Sequence, residues 1–142
     1  MTNHASILHA SCVAVAEKGC LILGASGSGK SALALSMMAH GATLVADDRV
    51  VLTRIDNAVM ASAPDPLRGL IEARGVGILT CDMAERVAIK VVVDMDSPET
   101  ERLPQAHETE LLGQPVALLR RVDGPHFAPA LMQYLRSGRH SP

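Results

Sequence analysis

The stretch "LILGASGSGKSALALSMM", residues 21–38, sets three glycines, three serines and a lysine between two apolar runs. Gly24-Ala25-Ser26-Gly27-Ser28-Gly29-Lys30-Ser31 satisfies G-x-x-x-x-G-K-[ST] in full. Glycines tolerate backbone angles that turn successive N–H groups inward as an anion nest. A helix opening directly afterwards adds unpaired N–H donors and the positive end of its dipole. Lys30 contributes a mobile positive charge for β- and γ-phosphates, and the Ser31 hydroxyl can ligate Mg²⁺. The motif follows an apolar strand pattern and opens a helical one, which is the context this chemistry needs. A tight structural turn is the competing reading.

Further along, Leu33 with Met37 and Ala34 with Met38 fall at helical spacing over 31–40, and Gly41 supplies a stop. Upstream, "SILHASCVAVA" (6–16) reads as one strand, "EKG" as a hairpin turn and "CLIL" (20–23) as the returning strand. Downstream, "ATLVA" (42–46), "RVVLTRI" (49–55), "RVAIKVVVD" (86–94) and "PVALLRRV" (115–122) read as strands. Asp56-Asn57 turns the chain into "AVMASA", and "PDPLRGLIEARG" (64–75) starts with proline punctuation and includes a short helix. "MDSPETERLPQAHETE" (95–110) is polar and loop-like, "FAPALMQYLR" (127–136) is a closing helix, and "SGRHSP" a frayed tail. Strands outnumber helices, so the class is α/β with a large β component.

With 142 residues the chain suits one domain, 1–142, rather than two. A 48% apolar content and 20% charged content fit a globular fold and argue against disorder. A net charge of −2, one Tyr, one Phe and no Trp offer neither a field nor stacking surfaces for nucleic acid. Cys12, Cys20 and Cys81 are odd in number and widely spaced, so reduced buried thiols are expected rather than a zinc site or a disulfide framework. No uncharged apolar run approaches the ~18 to 20 residues that span a bilayer, and the N-terminus lacks a secretion signal, so a cytoplasmic protein without membrane contact is expected.

Three further groups carry possible chemistry. Asp47-Asp48 ends the strand after the helix, which brings both carboxylates near the phosphates if that strand adjoins the loop. Neighbours in an extended chain point to opposite faces, so one carboxylate is free to support a metal and the other to act as a general base. A solvated turn pair is the plain alternative. Glu72 and Arg74 in "EARGVG" could serve a metal and a phosphate, although a surface ion pair is the simpler reading. His9, on the first strand, reads on its own as a half-buried histidine.

Taken in order, His9, "GASGSGKS", "LVADDRV", "EARGVGIL" and "ETERL" (99–103) resemble the catalytic domain of HPr kinase/phosphorylase, over about residues 7–104. The resemblance implies a P-loop α/β fold similar to the phosphoenolpyruvate carboxykinase core. It also implies phosphorylation of a serine on the phosphocarrier HPr with ATP or pyrophosphate as donor, often reversible by phosphorolysis, in a homo-oligomer that is a hexamer for full-length members. On that footing Lys30 and the backbone of Gly24 to Ser31 hold the phosphates, with Ser31, Glu72 and Asp47 at the Mg²⁺. Asp48 is then the base that deprotonates the substrate serine, and His9 and Arg102 take the remaining catalytic positions.

Several features depart from the family pattern. The chain reads as a stand-alone catalytic domain without the usual N-terminal one. Ala25 replaces the usual Asp, and His9-Ala10 the usual His-Gly. "RRVDGPHFAP" (120–129) does not reproduce the basic loop linked to dephosphorylation, so kinase chemistry is better supported than phosphorylase chemistry, and the shortage of aromatics suggests loose specificity for adenine. A P-loop module that senses nucleotide or phosphate without transfer is the rival reading. A small-molecule kinase would need an arginine-rich lid, and the 94–110 segment has Arg102 alone.

Overall fold

The computed structural model describes residues 5–140. The unit that fixes everything else is strand β3 (Lys18–Leu23), the loop 24–29 and helix α1 (Lys30–Ala39). Gly29 caps the helix with φ +99, a left-handed conformation that costs a Cβ-free residue little. At the other end the N–H groups of His40 and Gly41 return to the carbonyls of Met37 and Met38, and Gly41 has φ +109, as its expected stop role requires.

Among the described residues, nine strands form one sheet: β1 (Ala5–Leu8), β2 (Ser11–Val15), β3, β4 (Thr43–Ala46), β5 (Val50–Ile55), β6 (Ala58–Ser62), β9 (Val87–Pro98), β10 (His107–Leu111) and β11 (Gln114–Arg121). The order is β1-β5-β6-β9-β3-β2-β4, and β10 joins through β11, which pairs with β9. A separate hairpin is made by β7 (Leu70–Ala73) and β8 (Gly77–Thr80). Helix α2 (Phe127–Ser137) closes the chain. The fold is thus α/β and β-rich, as expected.

Strand β9 organises the sheet. It runs parallel to β3 on one edge; on the other it pairs first with β6, at Val87 and Ala88, and then with β11 from Val91 onward. The change of partner coincides with a bulge: Gly19 faces Ile89 but Cys20 faces Val91, leaving Lys90 unpaired against β3. An extra residue flips the inward side. Val91, Val93 and Met95 consequently join a core under α1 and α2, with Ile22, Met37, Leu131 and Leu135, whereas Ile89 and Val92 join the opposite core, with Leu21, Val45 and Leu52.

Four expectations are corrected by this architecture. Residues 6–16 are not one strand: the chain breaks at His9-Ala10, β1 pairs with β5, and β2 pairs with β3 and β4. The hairpin turn sits at Ala16-Glu17, both with positive φ, so β3 starts at Lys18. The 64–75 segment contains a short 3-10 turn (Asp65–Leu67) and also strand β7, continued into β8. The polar 95–110 segment is not all loop: β9 runs on to Pro98 and His107–Leu111 is a strand with alternate residues exposed. The tail beyond Gly138 lies partly outside the described residues.

Cys12 and Cys20 occupy adjacent strands but opposite cores, and both are fully buried, so they cannot meet. Burial pushes the Cys20 thiol up to about 12 and raises that of Cys12 well above its ordinary value. Cys81 departs from the expectation of burial, being partly exposed, with its thiol raised by more modest burial and by Asp82 and Asp47.

Candidate active site

A cleft of about 470 Å³ opens where the loop, the end of β4 and the β7–β8 hairpin converge. Its walls include His9, Ser26, Gly27, Gly29, Lys30, Ser31, Asp47, Asp48, Glu72 and Arg74. Nearly every residue singled out in the sequence therefore faces one space. Gly24, Ala25 and Ser28 belong to the same loop but do not line the cleft. Arg102 stands apart: it is exposed on the segment between β9 and β10 and does not line the cleft. In that segment Glu99 accepts from the N–H groups of Glu101 and Thr100, which lowers its carboxyl below the ordinary value.

The loop is close-packed at its start and open at its tip. A Cβ on Gly24 would sit 2.4 Å from Ser28 Oγ and 2.9 Å from Met95 Cβ, whereas one on Gly27 would meet nothing within 4 Å. Lys30 is buried at the floor, and its ammonium donates to the carbonyls of Gly24 (2.7 Å) and Ala25 (3.0 Å). The Ser28 hydroxyl oxygen is buried with no hydrogen-bond partner among the described residues.

The two aspartates divide as their environments dictate. Asp47 is 4% exposed. Its Oδ1 accepts from Ser11 Oγ (2.6 Å) and Ser31 Oγ (2.7 Å), and its Oδ2 from Ser31 Oγ (3.0 Å) and the Glu72 N–H (3.2 Å). Such a buried carboxylate is tolerated because its oxygens are satisfied. Asp48 instead is exposed, and its Oδ1 lies 3.0 Å from His9 Nε2. Strand β4 ends at Ala46, and Asp48 has φ +70. The alternation expected of an extended chain therefore fails here, and both carboxylates line the same cleft.

Sequence reasoning missed Ser11, which is 1% exposed. The signal was available: a hydroxyl at the head of the apolar run "SCVAV" needs a buried partner. It also missed Val76, which lines the cleft while 75% exposed. Glu72 and Arg74 both face the cleft, Glu72 from β7 and Arg74 from the turn after it.

Comparison with known proteins agrees with this geometry. Residues 2–117 match the family described as the HPr Serine kinase C-terminal domain. An HPr kinase/phosphorylase of Stenotrophomonas maltophilia is 37% identical over 110 residues, covering 72% of this chain and 35% of that protein. One from Malacoplasma penetrans is 30% identical over 114 residues, covering 75% and 36% respectively. The chain thus spans about a third of the length of these curated relatives. A solved structure named as the Hpr(Ser) kinase/phosphatase from Coxiella burnetii shares the fold, with a TM-score of 0.75 at 23% identity over 92% of this chain and 93% of that one. A loop, helix and paired aspartates that converge on one cleft, in a chain matched over most of its length, lead to one assignment: the protein belongs to the HPr serine kinase C-terminal domain family.

Proposed function

We propose that residues 1–142 form the catalytic domain of an ATP-dependent protein kinase that phosphorylates a serine of an HPr-like phosphocarrier of the phosphotransferase system. One observation carries this reading: the loop residues Lys30 and Ser31 share a cleft with Asp48, and Ser31 is hydrogen-bonded to the buried Asp47. Family membership and the names of the relatives support it.

The loop amides and Lys30 grip the polyphosphate, the lysine exchanging its carbonyl partners for phosphate oxygens. Asp48 accepts the serine proton as the serine oxygen bonds to the γ-phosphorus and the bond to the leaving ADP oxygen breaks. His9, beside Asp48, orients that carboxylate. A Mg²⁺ held here would supply positive charge to offset that of the phosphates. Ser31 and Glu72 would hold it through hard oxygen donors, few enough to suit a cation that keeps water and phosphate ligands. Asp47, with its oxygens already engaged, acts through Ser31 or a water. Arg102 offsets charge on the transferred group, which requires its exposed loop to approach the cleft. Pyrophosphate serves as an alternative donor, and the kinase direction dominates over phosphorolysis. We further assign the protein to the cytoplasm, as a homo-oligomer resembling the family hexamer; no helix among the described residues is long and apolar enough to cross a membrane.

Incubation with Mg²⁺ and γ-labelled ATP, and separately with labelled pyrophosphate, in the presence of HPr-type carriers should give serine-bound label. ATP binding with no transfer to any carrier would replace this reading with that of a nucleotide-sensing module.

A further inference from the structure

Strand β9 leaves its ladder just where it passes the phosphate loop. Asp94 pairs with Arg120, but the next pair is Pro98 with Arg121, so Met95, Asp96 and Ser97 loop out of the sheet between consecutive residues of β11. Bulges of this kind re-aim side chains beside active sites. Here the excursion is stapled on both sides. Asp94 accepts from the Asp96 N–H at 2.9 Å through Oδ1 and from the Ser97 hydroxyl at 2.9 Å through Oδ2, and Arg121 Nη1 donates to the Met95 carbonyl at 2.8 Å. The Asp96 carboxylate is thereby delivered to the loop: the Ala25 N–H donates to both of its oxygens, each at 3.0 Å.

The geometry points to Asp96 as a positioning residue of the phosphate loop, its carboxylate fixing the loop's first turn from outside the cleft through the Ala25 amide. This rests on the nucleotide-binding reading above and adds a residue to it. Asp96 does not line the cleft; it acts through the backbone. Ala25 is held from two directions, its N–H by Asp96 and its carbonyl by the Lys30 ammonium. When Lys30 turns from that carbonyl towards a phosphate, the Ser28 N–H still holds the carbonyl at 3.0 Å, and Asp96 holds the amide on the other side of the residue. The packing of Gly24 against Met95, the first residue of the bulge, gives the same support by shape. The motif alone could not disclose this, because Ala25 occupies a free position of the pattern and Asp96 lies seventy-one residues further on.

The full chain carrying Asp96→Ala or Asp96→Asn tests the assignment. Amide exchange at Ala25, measured by NMR without ligand, should rise about tenfold in Asp96→Ala, the loss expected for a hydrogen bond to a charged acceptor. Affinity for ATP–Mg²⁺ and for pyrophosphate, measured by calorimetry, should fall about three- to tenfold. Asp96→Asn keeps an acceptor oxygen and should restore most of both losses, and the exposed site should leave the melting temperature of either variant near that of the parent. Unchanged Ala25 exchange in Asp96→Ala, an Asn variant as impaired as the Ala variant, or tighter binding by Asp96→Ala would each overturn the assignment. If the parent protein bound neither ATP nor pyrophosphate, the kinase reading would fall, and the Ala25 exchange rate would still decide whether the tether exists.

Discussion

On the proposed reading Asp48 carries two demands, a carboxylate that acts as base and a backbone at φ +70. Asn tolerates that conformation nearly as well as Asp, so Asp48→Asn removes the base and spares the turn. It should slow phosphoryl transfer by about 10² to 10⁴-fold while nucleotide affinity stays near normal; parallel turnover and binding measurements check this. Lys30→Ala should weaken both if, as proposed, its ammonium serves the bound phosphates as well as the transferring group. Gly24→Ala presses a methyl against Ser28 and Met95, and should cost about 1–3 kcal/mol by overpacking, seen as a lower melting temperature together with weaker ATP binding. At this scale much of the site was legible, because the loop's requirements are written in adjacent residues. Asp47 and Asp48 were recognised but not their arrangement, since a left-handed residue at a strand end leaves no trace in an apolar pattern. Asp96 and Ser11 act through partners distant in sequence, Ala25 and Asp47, and only the folded chain brings these together.

Elements report on packing rather than chemistry. Helix α2 lays Leu131, Met132 and Leu135 against the core beneath α1, all at 2% exposure or less. Leu135→Ala should cost about 2–5 kcal/mol, equivalent to a fall of roughly 8–20 °C in Tm. Tyr134, partly buried on that core, offers a fluorescence signal for the undocking of α2. Strands β2 and β3 set the thiol chemistry: with Cys12 and Cys20 fully buried and both thiols raised, only Cys81 should react with a maleimide near neutral pH. Peptide mapping after labelling, with and without denaturant, decides it. The apolar strands and both helices could be read from their periodicity. Strand β10 could not, because "HETEL" is polar at four of its five positions and is held by pairing with β11. The break at His9-Ala10 escaped notice because apolar character continues across it while the strand partners change.

For the molecule as a whole, one sheet separates two cores, and residues of β9 contribute to both. Cooperative unfolding should follow, with Leu135→Ala on one face and Leu52→Ala on the other lowering a single shared transition. Circular dichroism and calorimetry test this through the coincidence of their curves; two separable transitions would mean that the faces melt independently. The same division of β9 between β6 and β11 determines what a severed chain would do. A nick in the exposed stretch 99–106 leaves a larger piece whose sheet is bare from Val91 onward, and a smaller piece holding β10, β11 and the greasy side of α2. Each fragment lacks what the other displays, so the pair should act as a complementation system in which reassembly rebuilds the flank beside the glycine-rich loop.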